Sequence, residues 1–314
     1  MKIRWTGFRT LHDYWGQAIP RYYNLDTLAN AVEWTIKRKD PFIGPSVREV
    51  LGTPAVSQYT FDLFQESKYQ VTFRMKASNE KRKEAMFAFV AAKQEGAVSK
   101  AARAEHTNLV TLHERAPKHV VQPFRGGVVF LPRHRGKAKE GRQIYAFVRQ
   151  WLGQYHELGV NKNLQFFINI QHPQAFSREQ TEGIKGRIID VIARTYDPKS
   201  GDCMEIPQVT SGDFMVMKAK QGVPRIKLIA CRRMVKRMTP AKILNRIAQN
   251  NWKWGREMFS LLPEQPGTVF TGLEAALGKE LARVWITDYC RAVEGKTFPE
   301  PPTWPIEELK RFGY

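Results

Sequence analysis

Alternation and periodicity along the chain predict two kinds of element in a definite order. Gln58-Tyr-Thr-Phe-Asp-Leu-Phe and Tyr69-Gln-Val-Thr-Phe-Arg-Met-Lys alternate apolar and polar residues, which predicts two strands joined by a short polar turn at Glu66-Ser67-Lys68. Upstream, Leu25 to Ile36 has helical apolar spacing, with Pro41, Gly44 and Pro54 as breaks. Downstream, Ala85, Phe89 and Ala92 share one face of a predicted helix running from Glu80 to about Glu95. Val120-Val-Gln-Pro, a Gly126-Gly127 turn and Val128-Val-Phe-Leu-Pro predict a second hairpin. Ile144, Phe147, Val148, Trp151, Leu152 and Tyr155 then form one continuous stripe at helical spacing, which predicts a helix to Leu158 ended by Gly159.

The second half of the chain carries clearer punctuation. Leu164 to Ile168 is strand-like, and Ser177-Arg-Glu-Gln180 is a capping box that opens a helix to about Tyr196. Phe214-Met-Val-Met-Lys-Ala-Lys, a Gln221-Gly222 turn and Arg225-Ile-Lys-Leu-Ile predict a hairpin. Thr239-Pro240 starts the next helix, with the threonine as N-cap and the proline where a missing N–H costs nothing. Gly272 to Arg291 predicts a further amphipathic helix, and Thr297-Phe-Pro-Glu-Pro-Pro-Thr-Trp-Pro an extended, proline-stiffened tail. Strands and a helix first, then mostly helices with one late hairpin, predict an α+β chain with a small β-rich lobe and a larger helical lobe.

Charge narrows the class of partner. The 314 residues carry 50 Lys and Arg against 30 Asp and Glu, a formal net charge of +20. Such a surface attracts polyanions without choosing among a phosphorylated glycolipid, a nucleotide and nucleic acid. The charge is concentrated: Phe214 to Arg256 contains no Asp or Glu, and Arg232, Arg233, Lys236 and Arg237 lie just before the Thr239 cap. Side-chain charge and helix N–H groups there predict an anion-binding surface, with pairing to acids from elsewhere, such as Glu264 or Glu274, as the alternative. Arg133, Arg135, Lys137, Lys139 and Arg142 form a second cluster. Cys203, Cys231 and Cys290 are widely spaced, which suits reduced thiols. With no apolar run near the roughly 20 residues of a membrane span and no secretory core at the N-terminus, the expectation is a cytoplasmic protein with no transmembrane segment, open to peripheral association with an anionic membrane. The seven histidines show no metal-ligand spacing with Cys or Glu.

This element order, with specific residues, resembles the protein-kinase-like fold, and within it the family that phosphorylates the lipopolysaccharide inner core. Lys76, in Val71-Thr-Phe-Arg-Met-Lys, stands where the family's nucleotide-phosphate lysine sits on the third strand. Glu84 (or Glu80), on the predicted helix that follows, stands for its pairing glutamate. Phe130-Leu-Pro-Arg matches the segment joining the lobes, and Trp151 to Asn161 the helix leading to the catalytic loop. Ile226-Lys-Leu-Ile-Ala-Cys-Arg-Arg is similar to the strand whose end holds the metal-binding aspartate. The resemblance covers roughly residues 58–247. It implies an N-terminal extension (1–57), a small lobe (58–132), a helical lobe (133–296) and a tail (297–314), with ATP and Mg²⁺ as cofactors.

The departures are chemical. After Gly159-Val160 the chain reads Asn161-Lys-Asn-Leu, with no aspartate to accept a substrate proton. If the loop instead lies just before the hairpin, Gln208 falls at the base and Asp213 at the metal-binding asparagine. Ala230 takes the place of the second metal-binding aspartate, and no glycine-rich loop joins the first two strands. Asp213 is thus the candidate for both catalytic and metal roles, with Lys76 and Glu84 for the nucleotide. Beside each stands a plain alternative: a snorkelling strand-edge lysine, a solvated glutamate, a turn aspartate. Three functions follow from these residues. They are a kinase-like protein that is weakly active or silent and binds an anionic ligand, a non-catalytic binder of nucleic acid or a nucleoprotein particle, and an active kinase that recruits Asp190 or Asp202 beside Asp213.

Overall fold

The computed structural model describes residues 1–6, 25–38, 41–67, 69–131, 142–160, 165–168, 174–206, 210–217, 222–249, 251–254, 257–260, 263–298 and 306–313. The chain is α+β and divides into two compact units, Met1–Val110 with Gln122–Leu152, and Thr111–Val121 with Gly153–Tyr314. The expected Arg133 and Arg135, the Asn161 loop, Gln208 and most of the proline-rich tail lie outside the described residues.

The first unit runs β1 (Lys2–Thr6), α1 (Leu25–Arg38), α2 (Ile43–Leu51), β2 (Gln58–Glu66), β3 (Gln70–Ser78), β4 (Glu84–Ala92), α3 (Ala97–Arg115), β5 (Pro123–Leu131) and β6 (Arg142–Gln150), with the last turn of α3 counted in the second unit. One six-stranded sheet, ordered β1-β2-β3-β4-β6-β5, organises it, with β1 parallel to β2 and the other neighbours antiparallel. Phe61, Phe73, Met75, Phe89 and Phe147 are fully buried in its core, and Trp5 stacks on Phe61 at 4.2 Å.

Two expectations fail in this unit for one physical reason. The helix expected from Glu80 is strand β4, and the helix expected from Ile144 is strand β6 followed by a turn and a two-residue strand at His156–Glu157. Phe87 to Ala92 and Ile144 to Val148 are buried without a break. An interior strand covered on both faces is a continuous apolar run, and such a run satisfies helical spacing as readily as strand spacing. The hairpin expected around Gly126-Gly127 is the single strand β5, which runs through both glycines. A Cβ at Gly126 would strike Tyr145 and His106, and one at Gly127 would meet the Phe42 ring at 2.5 Å. These glycines serve close approach on the two faces of the strand, not a turn. The expected extension before residue 58 belongs to this unit, since β1 joins the sheet and α2 packs on β5. The expected boundary after residue 132 falls between β5 and β6, which pair directly.

His106 of α3 sits in this core with defined chemistry. Its Nε2 faces the Phe124 carbonyl at 2.9 Å, so Nε2 carries the proton, and its Nδ1 accepts from the Tyr145 hydroxyl at 2.8 Å. Burial lowers its pKa below 6.5 and raises that of Tyr145, which keeps the pair neutral. A histidine with a lowered folded pKa contributes stability above its unfolded value and loses it as pH falls. The urea midpoint is therefore expected to drop on acidification below about pH 6.5. His106→Gln, measured over the same pH series, is expected to flatten that drop.

The second unit contains β7 (His156–Glu157), β8 (Gly159–Val160), β9 (Phe166–Ile168), β10 (Gln174–Ala175), α4 (Arg178–Thr195), β11 (Cys203–Met204), β12 (Phe214–Met217), β13 (Arg225–Leu228), β14 (Met234–Val235), α5 (Pro240–Ala248), β15 (Asn251–Trp254), β16 (Glu257–Ser260), α6 (Pro266–Leu277), α7 (Lys279–Glu294) and α8 (Ile306–Gly313). The expected capping box forms in full: Gln180 N–H donates to the Ser177 hydroxyl at 3.1 Å, and Ser177 N–H to the Gln180 side chain at 3.2 Å. The hairpin β12–β13 forms with Phe214 opposite Leu228, and Thr239 caps α5 with Pro240 in the first turn. The single helix expected over Gly272–Arg291 is two, because Gly278 adopts φ +80° between α6 and α7, a conformation that glycine alone enters freely. Among the described residues, no helix is long and apolar enough to cross a membrane. The three cysteines are buried and form no disulfide among the described residues, and burial pushes the Cys203 thiol up to about 12.

Candidate functional site at the Asp213 hairpin

A short turn, Ser211–Asp213, delivers Asp213 to the start of β12. Its backbone is tied at both ends: Asp213 N–H donates to the Thr210 carbonyl at 3.1 Å, and Ile229 N–H donates to the Asp213 carbonyl at 2.8 Å. Asp213 is therefore fixed beside the exit of β13, two residues ahead of Cys231.

The carboxylate is buried and paired with Arg232. Oδ2 accepts from the Thr210 N–H at 2.8 Å, the Thr210 hydroxyl at 3.1 Å and Arg232 Nη1 at 3.1 Å, and Oδ1 faces Arg232 Nη2 at 2.9 Å. An ionised carboxylate offers about four lone-pair positions, and the two oxygens share them unequally: three donors converge on Oδ2, whereas Oδ1 is buried and accepts no hydrogen bond among the described residues. Arg232 faces both oxygens as an ion pair but, of the two, hydrogen-bonds only Oδ2. Burial raises the Asp213 pKa above its ordinary value, and Arg232 and Thr210 pull against that shift.

The neighbouring cations divide into two kinds. Arg233 pairs with Glu205 at 3.4 Å, and the Glu205 N–H donates to the Arg233 carbonyl at 3.0 Å, so two arginines of the expected anion-binding cluster, Arg232 and Arg233, are met by acids from the chain before the hairpin. These are Asp213 and Glu205, rather than the Glu264 or Glu274 of the alternative reading; Glu264 binds Arg178. The run from Phe214 to Arg256 is acid-free in sequence yet partly balanced in space. Lys236 and Arg237 are exposed and have no acidic partner among the described residues. Arg237 holds φ +57° where its Cα packs against Gly201.

Lys76 and Glu84 do pair, at 2.7 Å, but on two adjacent strands. Glu84 begins β4 where a helix was expected, and both side chains are about half exposed, at 45% and 52%. A pair so exposed is worth at most about 1 kcal/mol. The lysine that sequence reasoning missed is Lys93, directly after β4 and before α3. Its Nζ lies 2.9 Å from Glu66 Oε1 and 3.1 Å from the Ser67 carbonyl, with the two side chains 3% and 1% exposed. The signal was available, since Lys93 ends the apolar run Ala85–Ala92. On α3, Glu105 is buried and accepts from Gln70 Nε2 at 2.9 Å.

Asp190, the other carboxylate singled out, is buried on α4 and held by Arg194 Nε at 2.6 Å, with His119 Nδ1 at 3.7 Å. Burial lowers the His119 pKa, with Asp190 acting against it. Asp202 lies apart from this group in sequence, on the turn where Asp197 N–H donates to its carbonyl at 2.9 Å. Among the described residues no group of three or more His, Cys, Asp or Glu forms a set that would hold a metal ion. No protein-family model matches the chain, and no curated protein matches it.

Proposed function

We propose that this is a kinase-like protein, resembling the lipopolysaccharide inner-core kinases, in which metal-dependent phosphoryl transfer is silent and the second unit binds an anionic ligand. The observation that carries the reading is the Asp213–Arg232 pair. Asp213 is the carboxylate that a kinase would aim at Mg²⁺, and here a guanidinium stands against it and three donors occupy Oδ2. Ala230 offers no second ligand. One carboxylate already paired with a cation, with no further acidic ligand grouped around it among the described residues, does not fit Mg²⁺.

Support for the kinase-like part comes from element order. The antiparallel strands β2-β3-β4, the long helix α3 and the pair β5–β6 precede a unit richer in helix than in strand, whose hairpin β12–β13 ends two residues before Ala230. In kinases the nucleotide-phosphate lysine precedes the helix that bears its glutamate. Lys93 satisfies that order better than Lys76, but Glu66 holds its ammonium. For the anionic ligand, Lys236 and Arg237 supply exposed charge beside the Thr239-capped end of α5. Catalysis is tested by Mg²⁺-dependent release of the γ-phosphate from ATP. The expected result is no release above that of Asp213→Ala. Robust turnover lost in Asp213→Ala would restore the active-kinase reading.

A further inference from the structure

α1 and β5 leave a cleft of about 530 Å³ lined by Trp34, Thr35, Arg38, Pro41, Val128 and Phe130. Two large aromatic side chains open into it, and each is 48% exposed. Neither serves the core. The buried side of α1 is made by Leu25, Leu28, Ala29, Ala31, Val32 and Thr35, and Trp34 stands off that stripe. On β5, Val129 and Leu131 are buried while Phe130 points away from them. Both rings line one cleft, and exposed apolar side chains gathered on one surface mark a binding site where singly scattered ones do not. Arg38 lies over the Trp34 ring at 5.0 Å, so a cation covers one face of the indole, and Lys37, one residue earlier, pairs with Glu33 at 3.1 Å.

We propose that this cleft is a base-stacking site for single-stranded nucleic acid, with Trp34 and Phe130 taking a base and Arg38 its phosphate. The chemistry fits the chain. Stacking on aromatic rings supplies sequence-tolerant affinity, arginine adds cation–π and phosphate contacts, and a net charge of +20 brings the polyanion to the surface. The inference is independent of the kinase-like reading, since it uses no residue of the Asp213 hairpin.

General attraction to a basic protein has to be separated from stacking, so the probe is a fluorescent oligothymidylate of about twelve nucleotides, a length suited to such platforms, compared with an abasic strand of equal length. By fluorescence anisotropy, Trp34→Ala and Phe130→Ala are each expected to weaken the oligothymidylate about fivefold or more while leaving the abasic strand unchanged. Trp34→Phe keeps a ring and is expected to retain most of the affinity, which guards against a folding artefact. Arg38→Gln is expected to weaken both strands and to reduce the salt slope by about one. Thymidine monophosphate as competitor identifies the source: displacement at low concentration assigns the site to free nucleotides, and failure to displace assigns it to the strand. Equal binding of oligothymidylate by wild type and both alanine variants, or equal losses on the two strands, would overturn the proposal.

Discussion

Lys93→Met is expected to lower the unfolding free energy by about 3–5 kcal/mol, the largest effect of any single substitution considered for this chain. Lys93 and Glu66 are almost wholly buried, and their charges face each other at 2.9 Å. Removing one partner strands the other as a buried charge, with nearby water unable to replace what was lost. Removing both is a different experiment. Glu66→Leu combined with Lys93→Met replaces a desolvated ion pair with apolar volume, and such replacements are often neutral or stabilising. Denaturant unfolding of the two single variants and the double variant closes the cycle. The double variant is expected to recover most of the stability lost by either single variant. A double variant as damaged as Lys93→Met would mean that the site depends on Lys93 for something beyond charge pairing, such as its bond to the Ser67 carbonyl.

Arg232→Ala is expected to be the second most disruptive change, at about 1–3 kcal/mol near neutral pH. The estimate lies below that for Lys93 because the Arg232 side chain is 49% exposed, and water partly replaces what it gives up. Its sign with pH is the sharper test. Burial already raises the Asp213 pKa, and losing the guanidinium raises it further. A carboxyl with a raised folded pKa is stabilising when protonated, and that contribution is lost as pH rises through the folded value. The deficit of Arg232→Ala relative to the wild type is therefore expected to shrink as the pH is lowered from neutral toward the titration of Asp213. Thermal unfolding of both proteins across that range measures it. A deficit that stays constant with pH would show that Arg232 acts through packing alone.

The sequence was legible where its signals are local. The Ser177–Gln180 capping box, the Thr239-Pro240 helix start and the β12–β13 hairpin are each written in a few residues, and each forms. The strands β2 and β3 were legible too, since each shows one polar side at intervals. Local reading failed at β4 and β6, where burial on both faces erases the alternation that would mark a strand. It failed at Gly126 and Gly127 because a glycine needed for close packing looks the same as one needed for a turn. For the site, Asp213 was legible as the lone carboxylate of the hairpin, but its partner was not. Arg232 lies 19 residues away, and only the pairing of β12 with β13 brings it back. The same holds for Arg233 with Glu205 and for Lys93 with Glu66, whose contacts depend on strand register that no spacing rule encodes.

In the proposed reading, Arg232 stands where a divalent cation would need to sit at Asp213. The most direct test is a thermal-shift titration of the full chain with ATP, with and without Mg²⁺, alongside Arg232→Ala. A ligand that binds the folded state raises the melting temperature in proportion to the logarithm of its concentration over its dissociation constant. With Arg232 paired to the carboxylate, Mg²⁺ is expected to add nothing to any shift produced by ATP in the wild type. A Mg²⁺-dependent increase in the wild type that disappears in Asp213→Ala would contradict it.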